Sequence, residues 1–231
     1  MTELYNQYRE VLDETLDYNK VETVNALVEM YNQPGMSAFA GNILRIYARS
    51  SKLVGAFENM EVLQKLTTLI TNADFSIQSD SYETFKEILL YDREGDTAPF
   101  EGFLISNSEA IFKLFDQLEG DSNYFSKPEG LKTQYMLLVK KESLRKIYTS
   151  DKERLKAIMV TVLNQNKAIQ YEAFLLLSLF ILMPLENQAV RYILEMNKGN
   201  LKDFIKNFQH DREEQEFKAL KNKMREILDD M

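Results

Sequence analysis

Ala173-Phe174-Leu175-Leu176-Leu177-Ser178-Leu179-Phe180-Ile181-Leu182-Met183, stopped by Pro184, is the stretch whose reading decides the fold. A bilayer span needs about 20 apolar residues, and a proline cannot continue a helix, so this short run predicts a helix buried in a protein core. Just upstream, Lys167, Gln170 and Glu172 alternate with Ile169 and Phe174, giving the first turns a wet side and a dry side. Downstream from Asn187, Val190, Ile193 and Leu194, then Leu201, Phe204, Ile205 and Phe208, recur at intervals of three and four, with Gly199-Asn200 as a break. Short amphipathic helices laid against a buried one form the repeating unit of an armadillo protein.

The same pattern extends outward along the chain. Spacing and caps predict helices at Thr2–Leu16, Val21–Asn32, Met36–Ala48, Leu53–Asn59, Val62–Asn72, Ser76–Leu90, Phe103–Leu118, Pro128–Val139, Leu144–Tyr148, Asp151–Leu163, Lys167–Leu182, Asn187–Asn197, Asn200–Phe208 and Glu213–Asp229. Thr2, Ser37, Ser126 and Ser150 are placed to act as N-caps, and Pro128 falls in a first turn where its missing N–H costs nothing. Phe39, Tyr82, Leu131 and Phe174 are spaced by 43, 49 and 43 residues, close to the HEAT/armadillo period. The fold class read from this is all-α, an armadillo/HEAT-like helical-repeat solenoid, with residues 1–231 forming one domain. Four prolines and eight glycines, scattered, leave no flexible linker.

Composition narrows the function. A net charge of −8 argues against general nucleic-acid binding, which relies on Lys and Arg to neutralise phosphates. With no cysteine there is neither a disulfide framework nor a thiolate zinc site, and with no leader or long apolar span the expected location is cytoplasmic, off the membrane. Nine basic residues between Lys127 and Lys156 stand against four acidic ones, a local excess of five that reads either as a solvated helix face or as a basic docking patch. His210 is the sole histidine, and none of the glycines falls in a phosphate-loop spacing. No catalytic, metal or cofactor residues are assigned. Function is expected to lie in surfaces. One candidate is the basic stretch with Tyr124 at its edge. The other is an apolar neighbourhood of Met159, Phe174 and Met196, where methionines adapt to an inserted aromatic side chain or simply fill the core.

Three stretches carry a family resemblance: Phe75-x-Ile77-x-Ser79-Asp80-x-Tyr82-x-Thr84-Phe85-Lys86-x-Ile88-Leu89, Ile169-Gln170-Tyr171-Glu172-Ala173-Phe174, and Phe204-Ile205-Lys206-Asn207-Phe208-Gln209-His210-Asp211-Arg212. They resemble the calcium-binding protein 39-like family, also called mouse protein twenty-five. The likeness runs from Val21 to Asp229, and it implies a member shortened at its N-terminus by about the first third. The resemblance implies an armadillo-like scaffold without catalytic activity. Such a scaffold binds sterile-20-type protein kinases or a related pseudokinase through a concave surface and captures their C-terminal tail in a hydrophobic pocket. Carried over by position, Phe75, Tyr124, Lys132 and Lys141 fall on the kinase-contacting surface. Lys141 there replaces an arginine and so loses the planar fork. Pro128 replaces a second arginine, leaving Lys127 as the nearby cation. In the peptide pocket Met159 matches the family's methionine, Met196 takes the place of a lysine, and Lys198 lies two residues on, which implies a more apolar tail. The alternative reading is a peptide-binding adaptor that has lost kinase activation and tethers partners by the pocket alone.

Overall fold

The computed structural model describes residues 20–95, 97–120, 125–183 and 187–231. Among them it is all-helical, with thirteen α-helices and one 3-10 helix. These are α1 (Lys20–Met30), α2 (Ser37–Arg49), the 3-10 turn Val54–Phe57, α3 (Met60–Ile70), α4 (Phe75–Leu90), α5 (Ala98–Ser106), α6 (Ser108–Gly120) and α7 (Ser126–Lys140). They continue with α8 (Glu142–Thr149), α9 (Lys152–Thr161), α10 (Lys167–Leu182), α11 (Gln188–Met196), α12 (Lys198–Asn207) and α13 (Gln215–Asp230). The chain divides into two compact units, one reaching to Leu137 and the other running from Leu138 to Met231. The expected helix Thr2–Leu16 and the cap Thr2 lie outside the described residues.

Helix starts are set by Asn and Asp, whose short side chains reach back to the orphan amides of the first turn. Asp74 accepts from the Ser76 amide at 2.8 Å, Asn166 from Ala168 at 2.9 Å, Asn187 from Ala189 at 2.8 Å, and Asn59 and Asp151 do the same for α3 and α9. The serines expected as caps do other things. Ser37 and Ser126 are already helical and buried, while Ser150 follows α8 and donates its hydroxyl to the Ile147 carbonyl at 2.7 Å.

Asparagine also breaks helices. The stretch Phe103–Leu118, expected as one helix, is divided at Asn107, whose side-chain amide donates to the Phe103 carbonyl at 2.8 Å. Asn197 does the same to Ile193 at 2.8 Å, so the break expected at Gly199-Asn200 comes earlier and Gly199 sits in the first turn of α12. In both places the side-chain amide shares the carbonyl with the asparagine's own backbone N–H, which donates to it at 3.0 Å at Asn107 and 3.2 Å at Asn197. Leu53–Asn59, expected as a helix, is a 3-10 turn over Val54–Phe57.

The first unit is built on α4, which packs against α2 and α3, while α6 packs against α3. Its centre holds Leu44, Tyr47, Leu63, Leu66, Phe85 and Phe115, all fully buried, with the Phe85 and Phe115 rings edge to face at 5.8 Å. Fully burying one such side chain contributes about 1.5–3 kcal/mol, so a handful of them supplies much of the unit's stability. The second unit is built on α10, which packs against α9 and α13. Ala173, Phe174, Leu176, Leu177, Phe180 and Ile181 are completely inaccessible, and no described helix is long and apolar enough to cross a membrane.

The repeat is visible in three buried helices, α4, α7 and α10. Tyr82, Leu131 and Phe174 are 4, 0 and 0% exposed, as their common phase predicts, but Phe39 is 54% exposed and leaves the series. Helix α2 turns Ala40, Leu44, Tyr47 and Ala48 inward instead, because that stripe, not Phe39, meets α4.

Candidate functional site

Asp74 caps α4, so Phe75 is its first residue, and at that position the ring stands 58% exposed. It is not loose. Its ring meets Phe125 edge to face at 5.8 Å, and Phe125 meets Tyr82 in the same way at 5.4 Å, a geometry that places positive ring edges on negative faces. The Lys86 ammonium lies over the Tyr82 ring, 5.2 Å from its centre, and pairs with Glu83 at 2.6 Å. Tyr82 then ties α4 to α7. Its hydroxyl donates to Glu129 Oε2 at 2.6 Å and lies 3.0 Å from Thr133 Oγ1. Burial, helped by the Glu129 carboxylate, pushes the phenol pKa up, so it stays neutral and remains a donor.

The tie has a counterpart one repeat earlier. Tyr31 donates to Asp80 Oδ2 at 2.8 Å and lies 2.8 Å from Thr84 Oγ1, so α4 carries an acid and a threonine four residues apart, as α7 does with Glu129 and Thr133. Arg45 completes the first cluster, with Nη2 on Asp80 Oδ1 at 3.0 Å and Nη1 on Thr84 at 2.9 Å. The sequence signal was the acid-x-x-x-Thr spacing at Asp80/Thr84 and Glu129/Thr133, which inspection for repeats passed over. In α10 the corresponding positions are Glu172 and Leu176, and Leu176 is fully buried, so the second tie is not continued in this form.

Among the residues expected to face a kinase, the structure therefore brings Phe75 to the start of α7, where Lys127 is half-buried in the first turn. Lys132 is exposed further along α7, four residues before the exposed Met136, while Thr133 is buried. Lys141 belongs to the second unit, where it is the N-cap residue of α8 and half-buried. Tyr124 lies outside the described residues. Much of the basic stretch is internally balanced: Lys146 pairs with Glu142 and Lys156 with Glu153, both at 2.9 Å, Arg154 lies 3.6 Å from Asp151, and Arg145 donates to the Val139 carbonyl at 3.1 Å.

The second unit presents a different surface. Helix α9 packs against α11. Met159 is half-buried on α9, flanked by Val160 at 72% exposure, while on α11 Tyr192 and Met196 stand one turn apart at 63 and 67%. Phe174, grouped with these methionines from the sequence, faces elsewhere. It is stacked on Phe208 with ring centres 4.4 Å apart and planes 9° apart, and Phe217 closes the cluster at 5.5 Å. Arg212 lies over Tyr171 at 3.9 Å beside it. Lys198 donates to the Asp229 carbonyl at 2.8 Å at the C-terminal end of α13, and Lys202 pairs with the Asp229 carboxylate. That contact points the Lys198 ammonium at a helix end, where cations are favoured.

The sequence profile of the Mo25-like family matches residues 5–230. The Mo25-like protein of Schizosaccharomyces pombe is 31% identical over 82% of this chain and 57% of its own. The calcium-binding protein 39-like protein of Homo sapiens is 27% identical over 82% of this chain and 56% of its own, and the degreening-related gene dee76 protein of Auxenochlorella protothecoides is 26% identical over 87% and 62%. The chain thus spans less than two thirds of the length of these relatives. With its helical repeats and a profile match over nearly all of its residues, the chain belongs to the Mo25-like family.

Proposed function

We propose that this chain is a cytoplasmic, non-enzymatic scaffold that binds a sterile-20-type protein kinase or pseudokinase and holds it in its active conformation. The observation that carries the reading is Phe75, an aromatic ring kept 58% exposed yet fixed by Phe125, the residue that leads into α7, which bears Lys127 and Lys132. Family membership supports the reading, and these are the positions at which the resemblance assigns kinase contacts. A rigid exposed aromatic with basic neighbours is the composition of an interface anchor. The scaffold acts by differential binding: contact with only one position of the kinase's mobile helix shifts the population toward the active state.

The test is a pull-down with a purified sterile-20-type kinase domain, paired with its phosphorylation rate on a peptide substrate. Wild type is expected to bind and accelerate, while Phe75→Ala and Lys132→Ala weaken both. A chain that neither binds the kinase nor raises its rate refutes the proposal. A second reading, an adaptor that tethers a partner's C-terminal tail without activating it, draws on the exposed Tyr192 and Met196 of α11, a helix packed against the one that carries Met159. It is distinguished by binding that survives Phe75→Ala, is lost in Met196→Asp, and leaves the kinase rate unchanged.

A further inference from the structure

Between α1 and α3 the first unit holds an open groove of about 500 Å³, lined by none of Phe75, Lys127 and Lys132. That volume lies within the range of sites that take small molecules or short peptides. Its floor is apolar, formed by Val28, Met60 and Leu69. Polar side chains line it as well: Gln64 and Thr68 on α3, Asn72 just past the end of α3, and Asn32 just past the end of α1.

The spacing of these side chains matters. Residues four apart on a helix rise about 6 Å, and alternate residues of an extended chain repeat every 6.6–6.8 Å or so, so Gln64 and Thr68 match alternate main-chain groups of a strand-like peptide, with Asn72 beyond them. Their chemistry also fits. Thr68 spends its hydroxyl proton on the Gln64 carbonyl at 3.0 Å, leaving its oxygen as an acceptor. Asn72 accepts from the Asp74 amide at 2.8 Å, leaving its amide N–H groups as donors, and the Gln64 amide supplies both. From Met60 to Leu69 the groove follows α3 for about 14 Å, room for about four extended residues.

Charge decides the side chain such a peptide carries. Glu29 and Glu61 face each other across the groove, bridged by Lys65 at 2.7 and 3.0 Å. Two carboxylates share one ammonium, and their hydrogen bonds raise its pKa, Glu29 contributing most. With two carboxylates and one ammonium the site carries one net negative charge, and both carboxylates are open to an incoming cation, at 59 and 70% side-chain exposure. We infer that this groove binds an extended peptide segment bearing a lysine or arginine, read through its main chain by Gln64, Thr68 and Asn72 and through its cation by Glu29 and Glu61. The inference is independent of the kinase-scaffold reading, which concerns other residues.

The test uses fluorescence anisotropy of the full chain with a fluorescein-labelled hexapeptide, Ala-Leu-Ser-Arg-Leu-Ala, and with the same peptide carrying Glu for Arg or N-methylated at alternate amides. The Arg peptide is expected to saturate at a Kd below about 1 mM, with the other two at least about five-fold weaker. Glu61→Gln and Gln64→Ala, both at exposed positions, are each expected to weaken the Arg peptide a few-fold. Lys65→Ala removes the competing cation and is expected to tighten it, a gain that misfolding cannot produce. No saturable binding, equal affinity for the three peptides, or a Lys65→Ala protein that binds no better than wild type overturns the inference.

Discussion

Replacing Gly41 by alanine sets two effects of opposite sign against each other. Gly41 lies within α2, and in an unencumbered helix alanine is favoured over glycine by about 0.8–1 kcal/mol. Here a Cβ would overlap Asp80 Oδ2 and stand 2.7 Å from the Tyr31 hydroxyl and 2.8 Å from Arg45 Nη1. Those three groups form the tie between α1, α2 and α4, and the Arg45 and Asp80 side chains are only 16 and 18% exposed. To admit the methyl, the Asp80 carboxylate has to move, giving up its bond from Tyr31 and loosening the one from Arg45. Hydrogen bonds to charged groups are worth about 1.5–3 kcal/mol each, so losing one and weakening another costs about 3–5 kcal/mol. Net of the helix preference, Gly41→Ala is expected to destabilise the protein by about 2–4 kcal/mol. Urea denaturation followed by circular dichroism measures this. Gly102→Ala is the control: its Cβ meets nothing within 4 Å, and the change is expected to be neutral or stabilising by up to about 1 kcal/mol. The reasoning fails if Gly41→Ala matches Gly102→Ala, or if its penalty is undiminished in an Asp80→Ala background, where the obstructing carboxylate is gone.

Tyr31 and Tyr82 both have pKa values raised in the folded state, chiefly by burial, from an ordinary value of 10.0. A raised acid favours its protonated form in the native state, so stability should be level below pH 10 and fall above it, by up to about 1.4 kcal/mol per pH unit for each tyrosine. Urea midpoints between pH 8 and pH 11 test this, and Tyr31→Phe with Tyr82→Phe should flatten the decline. Phe208→Ala removes a 5%-exposed ring stacked on Phe174 and should cost about 3–5 kcal/mol in the second unit. A loss below about 1 kcal/mol in the same denaturation assay would mean that the cluster repacks freely.

Much of the fold was legible because helix formation is local. The buried run from Ala173 to Met183, the three-and-four spacing on α11 and α12, and the phase of Tyr82, Leu131 and Phe174 all come from contacts within a few turns or from a periodicity of one kind of residue. Boundaries were less legible at Asn107 and Asn197, because asparagine is equally at home capping a helix and ending one. Phe39 was misplaced for a different reason. Its spacing fits the repeat, but α2 has two apolar stripes and only packing against α4 chooses between them.

The candidate sites divide along the same line. Residue type and register brought forward the basic stretch from Lys127 and the methionines Met159 and Met196, and the family resemblance singled out Phe75, Lys132, Lys141 and Lys198. They could not say that Phe75 is braced by Phe125, that Lys198 is spent on the end of α13, or that Phe174 turns away from the methionines toward Phe208. They also gave no sign that Tyr31 reaches 49 residues along the chain to Asp80, and Tyr82 47 residues to Glu129. Helices are encoded by neighbours three and four residues apart, which sequence displays directly. The partners of a side chain that leaves its helix depend on how rigid cylinders stack, and that is settled only when many distant contacts are satisfied at once.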